Sequence, residues 1–111
     1  MSILVIIQLK ITDRTRLDML EQTFHAIRPE GMVELVWDSS PMTMVGALMF
    51  DHVGVIAFGC QENARAFFQS PEYHNFTVMR EACATAHMQV LHCSAPLEAL
   101  HARDVSLNQH P

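Results

Sequence analysis

The N-terminal segment ILVIIQLKI, residues 3–11, constrains the fold more than any other part of the chain. It begins with a run of apolar, mostly β-branched side chains, after which Gln8 and Lys10 alternate with apolar residues. A continuous apolar run predicts a strand covered on both faces, whereas alternation predicts a strand with one face in water. We therefore expect a central strand, the first half of which needs cover on both sides of the sheet.

Two helical regions are predicted. Apolar residues recur every three or four positions from Leu17 to Ile27, which predicts a helix from a cap at Thr12 or Asp13 to about Arg28. Residues 61–68 are helical in pattern, and the sequence Ser-Pro-Glu at 70–72 then restarts a helix that we expect to run to residue 86 or so. Serine is a favoured N-cap, proline is favoured at the first helical position, and an acidic residue is favoured in the first turn.

Three further strands are predicted, at residues 32–38, 52–58 and 87–93. In the first of them, Glu34 and Asp38 are expected on one face and Trp37 on the other. Gly54 in the second allows a bulge or a close neighbour. Residues 42–50, rich in methionine, form either a loop, which could act as a lid, or a short edge strand, and residues 97–103 form a short helix before a polar end.

This order of elements predicts an α+β fold of the ferredoxin-like βαββαβ type, an antiparallel sheet with the helices on one face. We expect one domain over residues 1–93 and a C-terminal extension over residues 94–111. The other sheet face is apolar as well, and 50% of the chain is hydrophobic while only 17% is charged, against a usual share of about 25%. A second copy of the sheet would cover that face, so we expect a homodimer that closes into a dimeric α/β barrel.

Several classes of function are excluded or disfavoured. The net charge is -5 and the basic residues are scattered, so we expect no nucleic-acid binding. The N-terminal apolar run is too short for a signal peptide or a membrane span. Three cysteines without CxxC spacing fit reduced thiols in a cytoplasmic protein. His87 and His92 are five residues apart on one strand and point to opposite faces, and no other metal spacing occurs, so we expect neither a metal site nor a cofactor.

The candidate site residues fall into two groups. Tyr73 and Arg80 are seven residues apart on one helix face, so they could meet a ligand together, with Trp37 as a third contact. The structural alternatives are a packing role for Tyr73 and an ion pair with a neighbouring glutamate for Arg80. Histidine exchanges protons near neutral pH, and we consider three as catalytic candidates, His52, His74 and His87. Solvent exposure is the alternative for His52 and His74.

The stretch NARAFFQSPEYHNFTVMR, from Asn63 to Arg80, resembles the signature of a small uncharacterised family in the dimeric α/β-barrel superfamily. The resemblance covers roughly Ile3 to Cys93. It implies a ferredoxin-like subunit, a homodimer and a cavity between the sheet and the helices. The chain departs from the family pattern in PEGMVELVWDSSPM, which lacks the usual glycine pair and arginine-glycine segment. It departs again in Phe58-Gly59-Cys60, where Phe-Pro-Ser is usual, so it resembles a divergent member.

The resemblance implies that the homodimer binds a small apolar or aromatic metabolite in each cavity. We expect an accessory protein or a cofactor-independent enzyme of secondary-metabolite biosynthesis. A pyrrole pigment of the prodigiosin type or a polyketide would be the ligand, with a pathway enzyme as a further partner. The alternatives are a non-catalytic carrier, stabiliser or protein-partner module, and a cofactor-free monooxygenase. Fold alone does not choose among them.

Overall fold

In the computed structural model, residues 1–47 and 50–105 are described, and within them strands and helices alternate in the βαββαβ order. The elements are β1 (Ser2–Ile11), α1 (Leu17–Ala26), β2 (Val33–Asp38), β3 (His52–Phe58), α2 (Gln61–Phe68), α3 (Pro71–Glu81), β4 (Ala84–Cys93) and a short α4 (Leu97–His101). A single 3₁₀ turn, Arg14–Arg16, leads into α1.

The four strands form one antiparallel sheet in the order β2-β3-β1-β4. β1 is central, and Val5 in its middle pairs with Ile56 of β3 on one side and with Val90 of β4 on the other. This strand order is that of a ferredoxin-like fold, and the predicted central position of β1 is confirmed.

The predicted boundary between the last helix and the last strand is wrong. α3 ends at Glu81 instead of continuing to Ala86, and β4 begins at Ala84. The cause is the length of β1, since its last residue, Ile11, still pairs with Ala84. Beyond this pair, the amides of Thr12 and Asp13 donate to the carbonyl of Cys83 at 2.8 and 3.1 Å. A nonlocal partner therefore converts helix-prone residues into strand.

The boundaries of two other helices differ from the predictions. Asp13 does act as a cap, but of the 3₁₀ turn, where its carboxylate accepts from the amide of Thr15 at 3.0 Å. The α-helix proper begins at Leu17 and ends at Ala26. The predicted C-terminal helix is also shorter than expected and ends at His101.

A β-bulge in β2 overturns the predicted assignment of side chains to faces. Glu34 pairs with Ile56, but the register then shifts so that Trp37 pairs with Gly54. Since Ile56 and Gly54 lie on one face of β3, Glu34 and Trp37 both lie on the helix side of the sheet. Asp38, which pairs with Val53, lies on the other side, so the expectation that Glu34 and Asp38 share a face is wrong.

The core lies between the helix side of the sheet and α1, α2 and α3. Its aromatic centre is Phe67, whose ring centroid is 5.8 Å from that of Phe58, 5.2 Å from Tyr73 and 6.1 Å from Phe24. The buried members of this cluster are Ile3, Val5, Leu20, Met32, Ile56, Phe58, Ala64, Phe67, Tyr73, Phe76, Cys83 and Ala84.

The opposite side of the sheet, here called the outer face, carries Leu4 and Ile6 of β1, Val53 and Val55 of β3, and Leu91 of β4. Burial of the first four is intermediate, and Leu91 is 43% exposed. Among the described residues, Phe50 lies against His87 at one end of this face, and a second cover lies at the other end. The remaining area is an apolar surface of the kind that monomers rarely leave in water.

The cover at that end comes from the segment after β4. α4 packs on β2 and β3, and the hydroxyl of Ser2 donates to the carbonyl of Ala95 at 2.8 Å. Asp104 then pairs with the guanidinium of Arg28 while only 2% exposed. The predicted division at residue 93 stays a prediction, and the polar end from residue 106 lies outside the described residues.

The sequence left open whether the segment between β2 and β3 is a loop or a short edge strand. Residues 42–47 contain neither helix nor strand, and Met42 and Met44 are 89% and 93% exposed. Met49, the third methionine of this segment, lies outside the described residues.

Within the part of the chain that the structure describes, no helix has the length and apolarity needed to cross a membrane.

Candidate functional site

A cavity of about 340 Å³ lies between α1, α3 and the helix side of the sheet. Its floor is apolar and comes from the two middle strands, with Ile7 of β1 and Ile56 of β3 among its residues. The polar and aromatic side chains that matter for its chemistry are His25, Glu34, Trp37, Tyr73, Arg80 and Met88. All three predicted ligand contacts, Trp37, Tyr73 and Arg80, therefore lie around one cavity, and their binding role stays a prediction.

Trp37 owes its position to a glycine. A Cβ atom at Gly54 would lie 3.0 Å from Cε3 and 3.2 Å from Cζ3 of the Trp37 ring. The indole thus lies directly against the backbone of β3, which only glycine permits. The expected close neighbour of Gly54 is this ring.

α3 positions Tyr73 and Arg80. The helix begins as predicted, because the Ser70 hydroxyl accepts from the amide of Tyr73 at 3.1 Å and Pro71 occupies the first turn. The Tyr73 ring packs edge-on against Phe68 with centroids 4.9 Å apart. Two helical turns later, Arg80 reaches back along the same face, and its Nη1 donates to the Tyr73 hydroxyl oxygen at 3.3 Å.

The guanidinium of Arg80 is only partly neutralised. Its side chain is 15% exposed, and its nearest ion-pair contact is 3.8 Å to the carboxylate of Glu81, which is itself 73% exposed. Within the described residues, the buried Nε of Arg80 has no hydrogen-bond partner. A largely buried cation with an unused N–H donor is unfavourable unless a partner accepts that hydrogen bond. This end of the cavity therefore suits an anionic oxygen.

Tyr73 is the neutral partner of this pair. Burial raises the pKa of its hydroxyl above the ordinary value of 10.0, and the nearby charge of Arg80 partly opposes that rise. The hydroxyl also lies 3.7 Å from the sulfur of Met88 on β4. At neutral pH Tyr73 is therefore a hydrogen-bond donor and acceptor beside a fixed positive charge.

A second polar group lies where β2 and α1 meet. The carboxylate of Glu34 is 3.5 Å from Nη1 of Arg28 and 3.9 Å from Nδ1 of His25. Arg28 also binds Asp104 and donates from Nε to the Met32 carbonyl at 3.1 Å. Two carboxylates, of Glu34 and Asp104, therefore share one guanidinium at this end of the cavity.

The three histidines named as catalytic candidates are not among the residues that line the cavity. His74 is exposed on α3, and His87 pairs with Gln8 on the outer face of the sheet, where its ring is 5.2 Å from that of Phe50. His52 is 1% exposed behind Trp37, with ring centroids 5.6 Å apart. Its Nδ1 has no hydrogen-bond partner among the described residues. A catalytic role for any of them stays a prediction.

His25 and Glu34 are the cavity residues that the sequence reasoning missed. The side chain of His25 is 46% exposed and lies at the cavity wall. The only available signal was its place beside Phe24 on the apolar stripe of α1. Among the described residues, no group of histidine, cysteine and acidic side chains is arranged to hold a metal ion.

Comparison with known proteins agrees with this architecture. A family model described as a domain of unknown function, DUF1330, matches residues 2–93. No curated protein matches the chain.

Three solved structures show the same fold at low sequence identity. A protein of unknown function from Rhodopseudomonas palustris has a TM-score of 0.67 at 12% identity, over 86% of this chain and 84% of that one. SnoaB, a cofactor-independent oxygenase from Streptomyces nogalater, has a TM-score of 0.65 at 11% identity, over 86% and 96%. A dimeric ferredoxin-like protein of unknown function from Thermobifida fusca has a TM-score of 0.60 at 12% identity, over 82% and 92%. At these identities the likeness establishes the fold alone.

Proposed function

The chain belongs to the DUF1330 family, a domain of unknown function, and we propose that it binds a small, largely apolar or aromatic metabolite in the cavity between sheet and helices. The observation that carries the proposal is Arg80, whose side chain is 15% exposed and whose Nε has no hydrogen-bond partner among the described residues, beside the apolar floor of the cavity. An anionic oxygen of the ligand, from a carboxylate or a phenolate, binds Arg80 and the Tyr73 hydroxyl. The ring of Trp37 packs against the apolar body of the ligand.

The size and lining of the cavity support an aromatic ligand. Its volume of about 340 Å³ lies at the lower end of the range typical of small-molecule sites. Trp37, Tyr73 and Phe76 line it, and flat side chains of this kind favour flat ligands. A molecule of two or three rings fits these limits.

Binding of 2-naphthoate, measured by calorimetry and native mass spectrometry, tests the proposal. Arg80→Gln removes a charge-assisted hydrogen bond, so we expect the affinity to fall by about ten- to a hundredfold, and Tyr73→Phe should cost a few-fold. Arg65→Gln, at an exposed arginine of α2, is the matched control and should bind like the wild type. Unchanged affinity in both cavity variants would leave Arg80 and Tyr73 with a structural role only.

An accessory role, as carrier or stabiliser, fits this site better than acid–base catalysis. The candidate catalytic histidines His52, His74 and His87 do not line the cavity, whereas Tyr73 and Arg80 do and are suited to holding an anion. We propose a cytoplasmic biosynthetic setting, with a pyrrole pigment or polyketide intermediate as ligand and a pathway enzyme as partner. The resemblance to the dimeric α/β-barrel superfamily supports that setting.

A cofactor-free monooxygenase is the second candidate. Trp37 and His25 both lie at the cavity wall, where an activated aromatic carbanion would meet oxygen. Oxygen uptake on addition of an anthrone-type phenol distinguishes the two roles. A carrier binds the compound without consuming oxygen, whereas an oxygenase consumes oxygen in proportion to the product formed.

We further propose that the protein is a homodimer joined through the outer face. The partly buried apolar residues there, Leu4, Ile6, Val53 and Val55, support this assembly, as does the dimeric Thermobifida fusca protein. Two such faces, related by a two-fold axis, would cover each other and leave the cavities on the outside of the shared sheets.

A further inference from the structure

The cavity has two polar ends of opposite charge, and we infer that its ligand is correspondingly two-ended. The ligand has an anionic oxygen at the Arg80 end and a hydrogen-bond-donating nitrogen, such as an amine, at the Glu34 end, joined by an apolar body. This inference rests on the proposed binding function and narrows the class of ligand.

The two ends lie at opposite edges of the sheet. Glu34 is on β2, whereas the Tyr73 hydroxyl lies beside Met88 on β4, and β3 and β1 separate these strands. Three strand spacings correspond to about 14 Å between the β2 and β4 backbones. The floor between them is apolar, with Ile7 and Ile56 on the middle strands. A ligand that reaches both ends is therefore elongated and apolar in its middle.

Among the described side chains, carboxylates outnumber guanidinium groups at the Glu34 end. Glu34 and Asp104 both pair with Arg28, so two carboxylates face one guanidinium. Glu21 of α1 adds another carboxylate to the wall of the cavity. A cationic or N–H-bearing group of the ligand would offset this negative charge.

The carboxylate of Glu34 also has room for a further donor. Its contacts with Arg28 and His25 are 3.5 and 3.9 Å, longer than an ordinary charge-assisted hydrogen bond. A carboxylate accepts about four hydrogen bonds, and the Glu34 side chain is 15% exposed at the cavity wall. A ligand nitrogen can therefore bind there without displacing either neighbour.

The Arg80 end is the positive counterpart. Its buried Nε lacks a partner among the described residues, and Tyr73 beside it is neutral at physiological pH. The potential thus changes sign along the cavity, which orients a two-ended ligand and excludes the reversed pose.

Three matched biphenyls test the inference. They are 4'-(aminomethyl)biphenyl-4-carboxylate, with both groups, biphenyl-4-carboxylate, with the anion alone, and 4-(aminomethyl)biphenyl, with the cation alone. Calorimetry on the wild-type protein should show the two-ended compound binding at least about tenfold more tightly than either of the others. This comparison needs no variant, so it does not depend on how a substitution affects folding.

Glu34→Gln and Arg80→Gln then locate the two ends. In Glu34→Gln the two-ended compound should lose its advantage while biphenyl-4-carboxylate binds as before. In Arg80→Gln both acids should weaken, and the amine should not. Glu62→Gln and Arg65→Gln, at exposed positions of α2, are the charge-matched controls and should leave every affinity unchanged.

The outcomes separate this inference from the proposed function. Equal affinity for the two-ended compound and the simple acid overturns the two-ended ligand and leaves anion binding at Arg80 intact. An advantage that persists in Glu34→Gln overturns the assignment of the nitrogen to Glu34. If none of the three compounds binds to folded protein, both proposals fail.

Discussion

At the scale of single residues, Gly54 allows the indole of Trp37 to lie close against the backbone in the cavity wall. Gly54→Ala would place a methyl group 3.0 Å from the ring, so the ring or the strand must move. We expect a loss of about 1–3 kcal/mol in the free energy of unfolding. Since Trp37 is the only tryptophan, its fluorescence spectrum should shift as well.

Gly59→Ala is the matched control for this substitution. The nearest atom to a Cβ there is Cδ2 of Leu97 at 3.5 Å, an ordinary contact distance. Chemical denaturation of both variants checks the prediction. An equal loss of stability in the two, with no change in tryptophan emission, would show that Gly54 does not position the indole.

Tyr73 is the only tyrosine, so absorbance at the tyrosinate band reports its ionisation directly. Burial raises the pKa of its hydroxyl, and the charge of Arg80 opposes the rise. We therefore expect a titration midpoint above the ordinary value of 10.0, and a higher midpoint still in Arg80→Gln. Arg65→Gln should titrate like the wild type, and a midpoint unmoved by Arg80→Gln would contradict the contact between the two side chains.

The same shift has a consequence for stability. Above pH 10 the unfolded chain loses the tyrosine proton before the folded one, so the folded state holds more protons in that window. The free energy of unfolding therefore falls as the pH rises from about 10 through the folded-state pKa. Tyr73→Phe should remove this part of the alkaline loss, as measured by denaturation at pH 8 and pH 11.

Residue-level prediction from sequence succeeded where the relation is local. Tyr73 and Arg80 are two turns apart on one helix, and their side chains do touch. The meeting of His25 and Glu34 could not be found in this way. It depends on a bulge in β2 and on how α1 lies over the sheet, and neither has a signature in the spacing of these residues.

At the scale of elements, α3 depends on its N-cap residue. Ser70 caps the helix through a hydrogen bond from the amide of Tyr73 at 3.1 Å, and its own hydroxyl donates to the Phe67 carbonyl at 2.7 Å. Ser70→Ala removes both and should lower the free energy of unfolding by about 1 kcal/mol. Thr77→Ala, which removes a hydroxyl from the middle of the same helix, should cost less, and thermal unfolding compares the two.

The elements differ in how far local sequence decides them. α2 and β3 have the predicted bounds because caps, glycine and apolar spacing all act within a few residues. The change from α3 to β4 occurs at Ala82 and Cys83, within the alanine-rich sequence ACATA, which favours a helix by propensity. Pairing with the distant end of β1 outweighs that propensity, so no local rule could have placed the boundary.

At the scale of the whole molecule, the C-terminal segment is tied to the rest of the chain by a buried ion pair. Asp104 is 2% exposed and pairs with Arg28, which in turn holds Glu34 at the cavity wall. Asp104→Asn removes the charge of one of the two carboxylates that pair with Arg28 and should cost about 3 kcal/mol of stability. Asp18→Asn, at an exposed carboxylate of α1, should have little effect in the same denaturation experiment.

The outer face of the sheet is the surface through which we propose that the dimer forms. Ile6 and Val55 pair at its centre, and a lysine there would put a charge into the proposed interface. We expect wild-type protein to sediment as a dimer and Val55→Lys as a folded monomer, because an unpaired charge in an apolar interface is strongly unfavourable. Thr85 lies at the end of the same face, where it pairs with Lys10, so Thr85→Lys should remain dimeric.

This experiment also separates assembly from ligand binding. The cavity lies on the helix side of the sheet, whereas Val55 lies on the outer face, so a folded Val55→Lys monomer should still bind 2-naphthoate. Loss of binding together with the dimer would mean that the partner subunit completes the site. A wild-type protein that sediments as a monomer would leave the apolar outer face without the cover that we propose, and the dimer would be wrong.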